Sequence, residues 1–366
     1  MPHDHSTSTI ERPVRLASDG SPIMEDQQAY LDGLRSRFNA ADALTCLDAL
    51  RGIKVLVVGE AIIDEYQYCT PDAMSNKSPT LSARFDSTEV YAGGVDAVGN
   101  LIARLTDHVH VLAGAGTEDN GLPQRTPSRH HSLRHTTVRR PDGPTVCKRR
   151  FVHGFLNQKL FELTFLNDRP IPAETERDLL AAIDAHAPAA DAVIVVDFGH
   201  GFLTPPIVHR LRERSTFLAV NAQMNSSNRG FNTIRKYEQP DYISVDENEI
   251  RLPFGDRYGS LECLIARLAK ESKCRQINVT LGSRGTLYFD GDKFHAAPVF
   301  TDRVVDAIGA GDALLAITSL LIRAGAPSEL VPFIGNCVGG LMTQIVGHRS
   351  SIDRDELARF ITTLLH

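Results

Sequence analysis

Along most of this chain, short unbroken apolar runs alternate with longer amphipathic stretches. The runs at 54–58, 109–113, 192–196, 217–220, 242–245 and 277–281 are rich in Val, Ile and Leu and hold few polar residues, as strands buried on both faces must. Between them, stretches such as 174–186 and 261–271 place apolar residues at helical spacing. This alternation predicts an α/β fold with a mostly parallel central sheet covered by helices on both faces. Two stretches break the rhythm. Residues 65–89 and 145–165 alternate polar with apolar or aromatic positions, Phe151, Phe155, Phe161 and Phe165 among them, which predicts a small antiparallel lid or interface sheet.

Two short helices are predicted ahead of the first strand, at 25–38 and 41–50, preceded by a non-periodic tail that reads as disordered. After the last strand run the pattern is helical, at 313–324 with Gly325 and Pro327 as the stop, then 329–346 and 353–365. The expected organisation is a tail with two short helices over 1–50 and one α/β domain over 51–366, with lid strands within 65–92 and 145–165.

Composition narrows the class. With 366 residues, 42% of them hydrophobic, the chain is long enough for one large α/β domain or two smaller ones. No apolar run approaches the ~20 residues that span a bilayer, and no signal-peptide core is present, so no membrane is expected and the cytoplasm is the expected location. Six cysteines without a CxxC pair point to reduced thiols and against a zinc site or disulfide framework. A formal charge of −6 argues against nucleic acid as a partner. Residues 125–150 run the other way, with Arg125, Arg129, Arg134, Arg139, Arg140, Lys148, Arg149 and Arg150 against Asp142 alone; the cluster reads as a solvated loop or as a site for a small anion.

Several mechanisms drop out. No Gly-Lys dipeptide occurs, so there is no Walker phosphate loop. The glycines of 112–116 are followed by Asp119 where a dinucleotide fingerprint needs glycine. No GxSxG elbow is present. His130, His131 and His135 lack metal-ligand spacing and read as surface residues.

In a doubly covered parallel sheet, ligands sit beyond the carboxyl ends of the strands. The segment Asp306-Ala307-Ile308-Gly309-Ala310-Gly311-Asp312 leads into an apolar helical stretch. The glycines allow an anion to approach the backbone, and the helix start offers unpaired N–H groups and the positive end of its dipole. Asp312 stands beside that hole as a proton acceptor, although taken alone it reads first as an N-cap. Four other segments fall at similar places. Asp64 follows the first strand run, suited to a polyol or to a turn. Gly93-Gly94 opens the helix at 95–105. Asp246 and Glu249 share one face of a helical turn and suit magnesium-bound water or a capping arrangement. Thr280-Leu281-Gly282-Ser283-Arg284-Gly285 closes a strand with a turn able to meet a nucleotide.

Taken in order over residues 51–365, these segments resemble the ribokinase family, the phosphofructokinase-B-like sugar kinases. Within it the likeness is to the kinase domain of bacterial D-glycero-D-manno-heptose-7-phosphate kinases. It is carried by Val55-Leu56-Val57-Val58-Gly59-Glu60, Pro144-Thr145-Val146-Cys147-Lys148-Arg149 and Asp197-Phe198-Gly199-His200-Gly201-Phe202-Leu203. The resemblance implies a ribokinase-like fold whose β-lid often pairs subunits, hence a homodimer, and ATP and Mg2+ as cofactors. It implies in-line transfer of the γ-phosphoryl group of ATP to a sugar hydroxyl, with a heptose 7-phosphate-like acceptor as the best match. Asp312 would be the base, with Gly309, Ala310 and Gly311 as the anion hole. Asp64, Gly93, Gly94, Asp197, Lys148 and Arg149 would bind the acceptor, and Thr280, Gly282, Gly285 and Asn336 the nucleotide. Asp246 and Glu249 would act on the metal through water. At a helix N-terminus, Asp312 is expected to stay ionised and to be a weak base.

Some positions depart from that pattern. Ala97 stands where a sugar-binding Asn is expected, Asp246 replaces an Asn, His200 replaces a Lys, and Asn221 and Gln223 replace an Asp and a Lys. These changes cluster on the acceptor and phosphate side, so a catalytically silent nucleotide or sugar sensor and a nucleoside kinase stay open as alternatives. The kinase pattern runs to the end of the chain, leaving no stretch for a nucleotidyltransferase.

Overall fold

The computed structural model describes residues 27–74, 78–118, 130–301, 304–347 and 349–366. The predicted tail therefore lies outside the described residues, as do Arg125 and Arg129. Helices α1 (Gln27–Arg35) and α2 (Ala40–Asp48) come first, the latter held by a capping box between Asn39 and Asp42. Strand β1 (Lys54–Met74) is followed by β2 (Leu81–Gly93), α3 (Gly94–Ile102), β3 (His108–Glu118), β4 (Leu133–Pro144), β5 (Val146–His153) and β6 (Gln158–Phe165). The alternating region then runs α4 (Ala173–His186), β7 (Ala192–Asp197), α5 (Pro205–Arg214), β8 (Leu218–Ala222), β9 (Tyr242–Asp246), α6 (Glu247–Phe254), α7 (Leu261–Ser272) and β10 (Gln276–Thr280). A hairpin of β11 (Thr286–Phe289) and β12 (Phe294–Ala297) precedes α8 (Ala310–Arg323), α9 (Leu330–Met342) and α10 (Arg354–Leu365).

The central sheet has the order β12-β11-β10-β9-β8-β7-β1-β3-β4. Its pairings are parallel except for the β10–β11–β12 edge, as the alternation predicted. Strand alternation divides the apolar residues between two cores. Val55, Val57, Ile194 and Val196 face the core that includes α8 and α9, while Leu56, Val58, Val193 and Val195 face the core that includes α4, α5 and α7. Leu31, Leu34, Ala43 and Leu47 belong to the first core, where α1 and α2 meet α10. The two leading helices are thus packed into the domain rather than grouped with the tail.

The main correction concerns β1, which was expected to end near residue 58. It continues to Met74. Its first part pairs with β3 and β7, and from Ile62 onward it pairs with β2 and β5. No Gly or Pro occurs between Glu60 and Thr70, and Ile62, Ile63, Tyr66 and Tyr68 favour extended backbone. Asp64 therefore lies inside a strand, where β1 leaves the central sheet for the lid. The lid has the order β2-β1-β5-β6 and is mixed, because β1 and β5 run parallel where antiparallel pairing was expected.

Three members of the basic cluster are paired with carboxylates. Arg140 is buried and doubly bonded to Asp142, Arg149 pairs with Glu65, and Arg150 pairs with Asp64 and Glu162. His135, read as a surface residue, packs its side chain against Asp96, with Nε2 and Oδ1 2.9 Å apart.

Helix α8 carries the site and buries Leu315, Ile317 and Leu320 completely. Replacing Leu320 by Ala removes packing that a rigid core cannot refill and should destabilise the protein by about 2–5 kcal/mol. The urea midpoint measures this, and an unchanged midpoint would contradict the packing described.

Candidate active site

The loop before α8 is tied down at its first residue. Asp306 accepts from the backbone N–H groups of Ile308 and Gly347, from Tyr66 of β1, and from Lys159 of β6 at 2.6 Å. Gly309 then adopts φ 81°, a left-handed conformation that favours glycine, and forms the N-cap of α8 without a side-chain bond. Asp312 is thus not the cap, as it read in isolation, but the third residue of the first turn. The backbone N–H groups of Gly311 and Asp312 donate to nothing among the described residues. They are free to bind an anion at the positive end of the helix.

Two cavities meet here. A smaller one, of about 230 Å³, lies over the ends of β8, β9 and β10, lined by Asn221, Gln223, Asp246, Thr280, Gly311 and Asp312. A larger cleft of about 600 Å³ runs under β2 and along α3, with Tyr91, Ala92, Ala97, Gly309, Asp312 and Arg349 on its walls. Asp312 lines both.

Burial pushes the Asp312 carboxyl up to about 7, against the lowering influence of Lys148 and of a hydrogen bond from Gln223 Nε2 to Oδ1 at 2.6 Å; nearby Asp64 raises it further. The expectation of a fully ionised, weak base is reversed. A helix dipole contributes about 0.3–1 kcal/mol at an exposed terminus, and the desolvation of a fully buried carboxylate outweighs it. A base titrating near neutrality is better matched to proton abstraction.

Asp64 and Lys148 face each other across the β1–β5 pairing. Asp64 is bonded to Arg150 at 2.5 Å, and a Cβ on Gly93 would fall 2.2 Å from its Oδ2, so that glycine is required by packing. The Lys148 ammonium lies 5.6 Å from the Phe198 ring centroid and makes no ion pair among the described residues. Its charge lowers the pKa of both Asp312 and buried His200. His200 is pushed to about 4, chiefly by burial, and neither ring nitrogen has a partner among the described residues.

Other expected site residues are committed elsewhere. Arg149 is held by Glu65 at 2.8 Å and lies over Phe165, one residue out of phase with Lys148 and hence on the opposite lid face. Asp197 is buried, accepting from Tyr237 at 2.8 Å and pairing with Lys236. It lines a separate cavity with Arg229 and Asn232, one that Asp312 does not line. Asp246 and Glu249 form the capping box of α6: Asp246 Oδ1 takes two N–H groups, and the Glu249 oxygens accept from Asp246 N and Met224 N. Burial, with Asp246 and Asp312 adding to it, lifts Glu249 to about 8. Thr280 reaches the smaller cavity; Gly282, Gly285 and Asn336 do not. Asn336 donates to Ala297 O at 2.9 Å, the oxygen against which Gly285 packs.

Sequence reasoning missed three contributors. Gln223 was noted only as a departure, Asp306 only as the start of a motif, and Glu60 only as part of a strand end. Glu60 is buried and accepts the N–H groups of Phe198 and His200; burial and Asp197 raise it to about 7. Position beyond a strand end was the one available signal for Gln223.

A mostly parallel sheet with a β-lid, and a buried carboxylate beside free N–H groups at a helix start, define a ribokinase-like phosphotransferase. The model of the pfkB family of carbohydrate kinases matches residues 53–355. The chain belongs to that family and is a sugar kinase. Among curated relatives it is similar to "Bifunctional protein HldE" of Koribacter versatilis, 24% identical over 311 residues that make up 84% of this chain and 63% of the relative. The same-named protein of Nitrobacter winogradskyi is 26% identical over 288 residues, 77% of this chain and 58% of the relative. The chain thus spans about three fifths of the length of these relatives. Its fold is shared with Arabidopsis thaliana ribokinase complexed with ribose and ATP, at TM-score 0.63, 18% identity and coverage of 85% and 99% of the two chains. It is also shared with Escherichia coli phosphofructokinase-2 in complex with fructose-6-phosphate, at TM-score 0.68, 13% identity and coverage of 86% and 100%.

The raised pKa of Asp312 has a stability consequence. A folded-state value of about 7 against an ordinary 3.8 means that the stabilising proton is fully bound below about pH 4 and lost as pH rises through 7. The stability of the native protein relative to Asp312→Asn should therefore fall between about pH 4 and pH 7, by at most about 1.4 kcal/mol per pH unit. Paired urea midpoints across that range measure it; a pH-independent difference would contradict the buried carboxyl.

Proposed function

We propose that the protein transfers the γ-phosphoryl group of ATP to a hydroxyl of a phosphorylated sugar, a heptose 7-phosphate-like acceptor. The observation that carries this reading is Asp312 lining two cavities at once. One suits the phosphates beside the open N–H groups of α8; the other, under the lid, suits the acceptor. Asp312 takes the hydroxyl proton, the sugar oxygen bonds to the γ-phosphorus, and the bond to the bridging oxygen of ADP breaks. The Gly311 and Asp312 N–H groups stabilise charge on the transferring oxygens. Lys148, a lid cation without an ion-pair partner among the described residues, is placed to meet an anionic group of the acceptor.

The carboxylates around the smaller cavity fit Mg2+ held through water on the nucleotide. Asp246 and Glu249 spend most of their acceptor capacity on the cap, and no group of three or more metal-type ligands occurs among the described residues. Mg2+ bound with ATP would neutralise phosphate charge, and Asp246 keeps a second carboxylate oxygen for a bridging water.

The protein acts as a homodimer through the outer lid face. There Phe85 on β2 and Phe161 and Leu163 on β6 are 66%, 51% and 45% exposed, apolar side chains that a second copy could cover. No helix among the described residues is long and apolar enough to cross a membrane, and the proposed location is the cytoplasm.

Incubation with Mg-ATP and a panel of sugars, sugar phosphates and nucleosides tests the reading. ADP release should depend on a phosphorylated sugar and fall about 10²–10⁴-fold in Asp312→Asn. ATP binding without turnover on any acceptor would overturn it in favour of a sensor. Lys148→Ala should raise KM for the phosphorylated acceptor while leaving KM for ATP in place; equal use of free and phosphorylated sugars would refute that role. Phe161→Asp should give monomers by light scattering, and an unchanged mass would remove the lid from the interface.

A further inference from the structure

Gln223 makes one side-chain bond in the described structure, and it goes to the proposed base. Its Nε2 donates to Asp312 Oδ1 at 2.6 Å, while Asp312 Oδ2 has no partner among the described residues. One carboxylate oxygen is fixed and the other is free to receive a proton. That asymmetry is what orientation of a base requires.

The residue is itself held from all sides. Its backbone N–H donates to Asp197 O at 2.8 Å, and its carbonyl accepts from Asn228 Nδ2 at 2.9 Å and Asn232 Nδ2 at 3.2 Å. The asparagines are locked in turn. Asn228 also donates to Phe198 O, and its Oδ1 accepts from the N–H groups of Asn225 and Gly230. Asn232 also donates to Asp197 O and accepts from Lys236 Nζ at 2.7 Å. A solvated surface loop has no need of a chain of buried amides whose shared target is one carbonyl. Side-chain networks of this kind specify a single geometry when every member is satisfied.

We infer that Gln223 is a positioning residue for Asp312, and that the loop following β8, residues 223–232, is built to hold it there. The inference rests on the reading of Asp312 as the base. A neutral amide suits this task because it donates without adding a charge that would compete with the transferring phosphoryl group. An ammonium at the same place would bind phosphate directly; a carboxylate would repel both partners.

The pH dependence of kcat, measured with Mg-ATP and the accepted sugar on Gln223→Met, Gln223→Glu, Gln223→Lys and Asp312→Asn, tests this. Gln223→Met keeps the side-chain length but cannot donate, and should move the acid limb upward by on the order of one pH unit, the loss expected for one hydrogen bond to a charged group. Gln223→Glu should move it further in the same direction, while Gln223→Lys restores a donor and should bring it down to or below the native position. KM for ATP should change less than about twofold in Gln223→Met, since the bond removed goes to the base and not to the nucleotide.

An acid limb unmoved in both Gln223→Met and Gln223→Glu, with Asp312→Asn inactive, overturns the inference and leaves the base in place. A raised KM for ATP with an unmoved limb overturns it too and assigns Gln223 to phosphate binding. Full turnover in Asp312→Asn sinks instead the reading of the base. Carboxyl 13C titration of the ligand-free protein reads the same shift without turnover: the Asp312 signal, identified by its loss in Asp312→Asn, should titrate higher in Gln223→Met than in the native protein. Identical titration overturns the inference.

Discussion

The passage of β1 from one sheet into the other is the constraint from which the rest of the site follows. One 21-residue strand is shared between two sheets, so the central sheet and the lid are joined by the same piece of chain. The strand is paired on both sides over residues 55–59 and again over residues 62–69, so its backbone groups are committed on either side of the crossing. Asp64 sits at the crossing, opposite Lys148, and Tyr66 reaches from the lid portion to Asp306 at the start of the loop before α8. Lid and loop are therefore bonded through buried groups.

Electrostatically the interior is crowded with carboxyls. Asp312, Glu249 and Glu60 are all buried, and each is raised towards or above neutrality, with a second acid adding to the effect of burial. Natural cores avoid such groups unless hydrogen bonds or counter-charges repay the desolvation. Backbone N–H groups repay it for Glu249 and Glu60, and Arg150 serves Asp64. Asp312 is the exception, with one amide donor and one distant ammonium. The least compensated acid lies at the junction of the two cavities, where strained protonation is useful.

Much of this was legible in the sequence because it is local. Apolar runs marked the central strands, their Val and Ile content marked double burial, and the glycines before an apolar helix marked the turn that starts α8. What escaped was long-range. Nothing near residue 60 marks the passage of a strand from one sheet to another, since period-two alternation fits either setting. The commitment of Arg149 to Glu65, of Asp197 to Tyr237 and of Gln223 to Asp312 joins residues 84, 40 and 89 positions apart, and residue type alone cannot choose among such partners. Taken alone, Asp312 reads as a cap because Asp favours that position; a glycine at positive φ holds it instead.

The packing of α1 and α2 against α10 bears on how the chain reaches this structure. Arg35 of α1 donates to the carbonyl of Leu364 at 2.9 Å, across a separation of 329 residues, and Leu31, Leu34 and Leu47 share a core with Leu357 and Ile361. During synthesis α1 and α2 are made long before α10, the helix that covers part of their apolar faces. Until then they present unburied leucines for the whole time needed to make the sheet, an interval that at about 5–20 residues per second amounts to tens of seconds. Docking of α10 against α1 and α2 therefore joins parts of the chain made far apart in time, and it conceals leucines that stay uncovered until then.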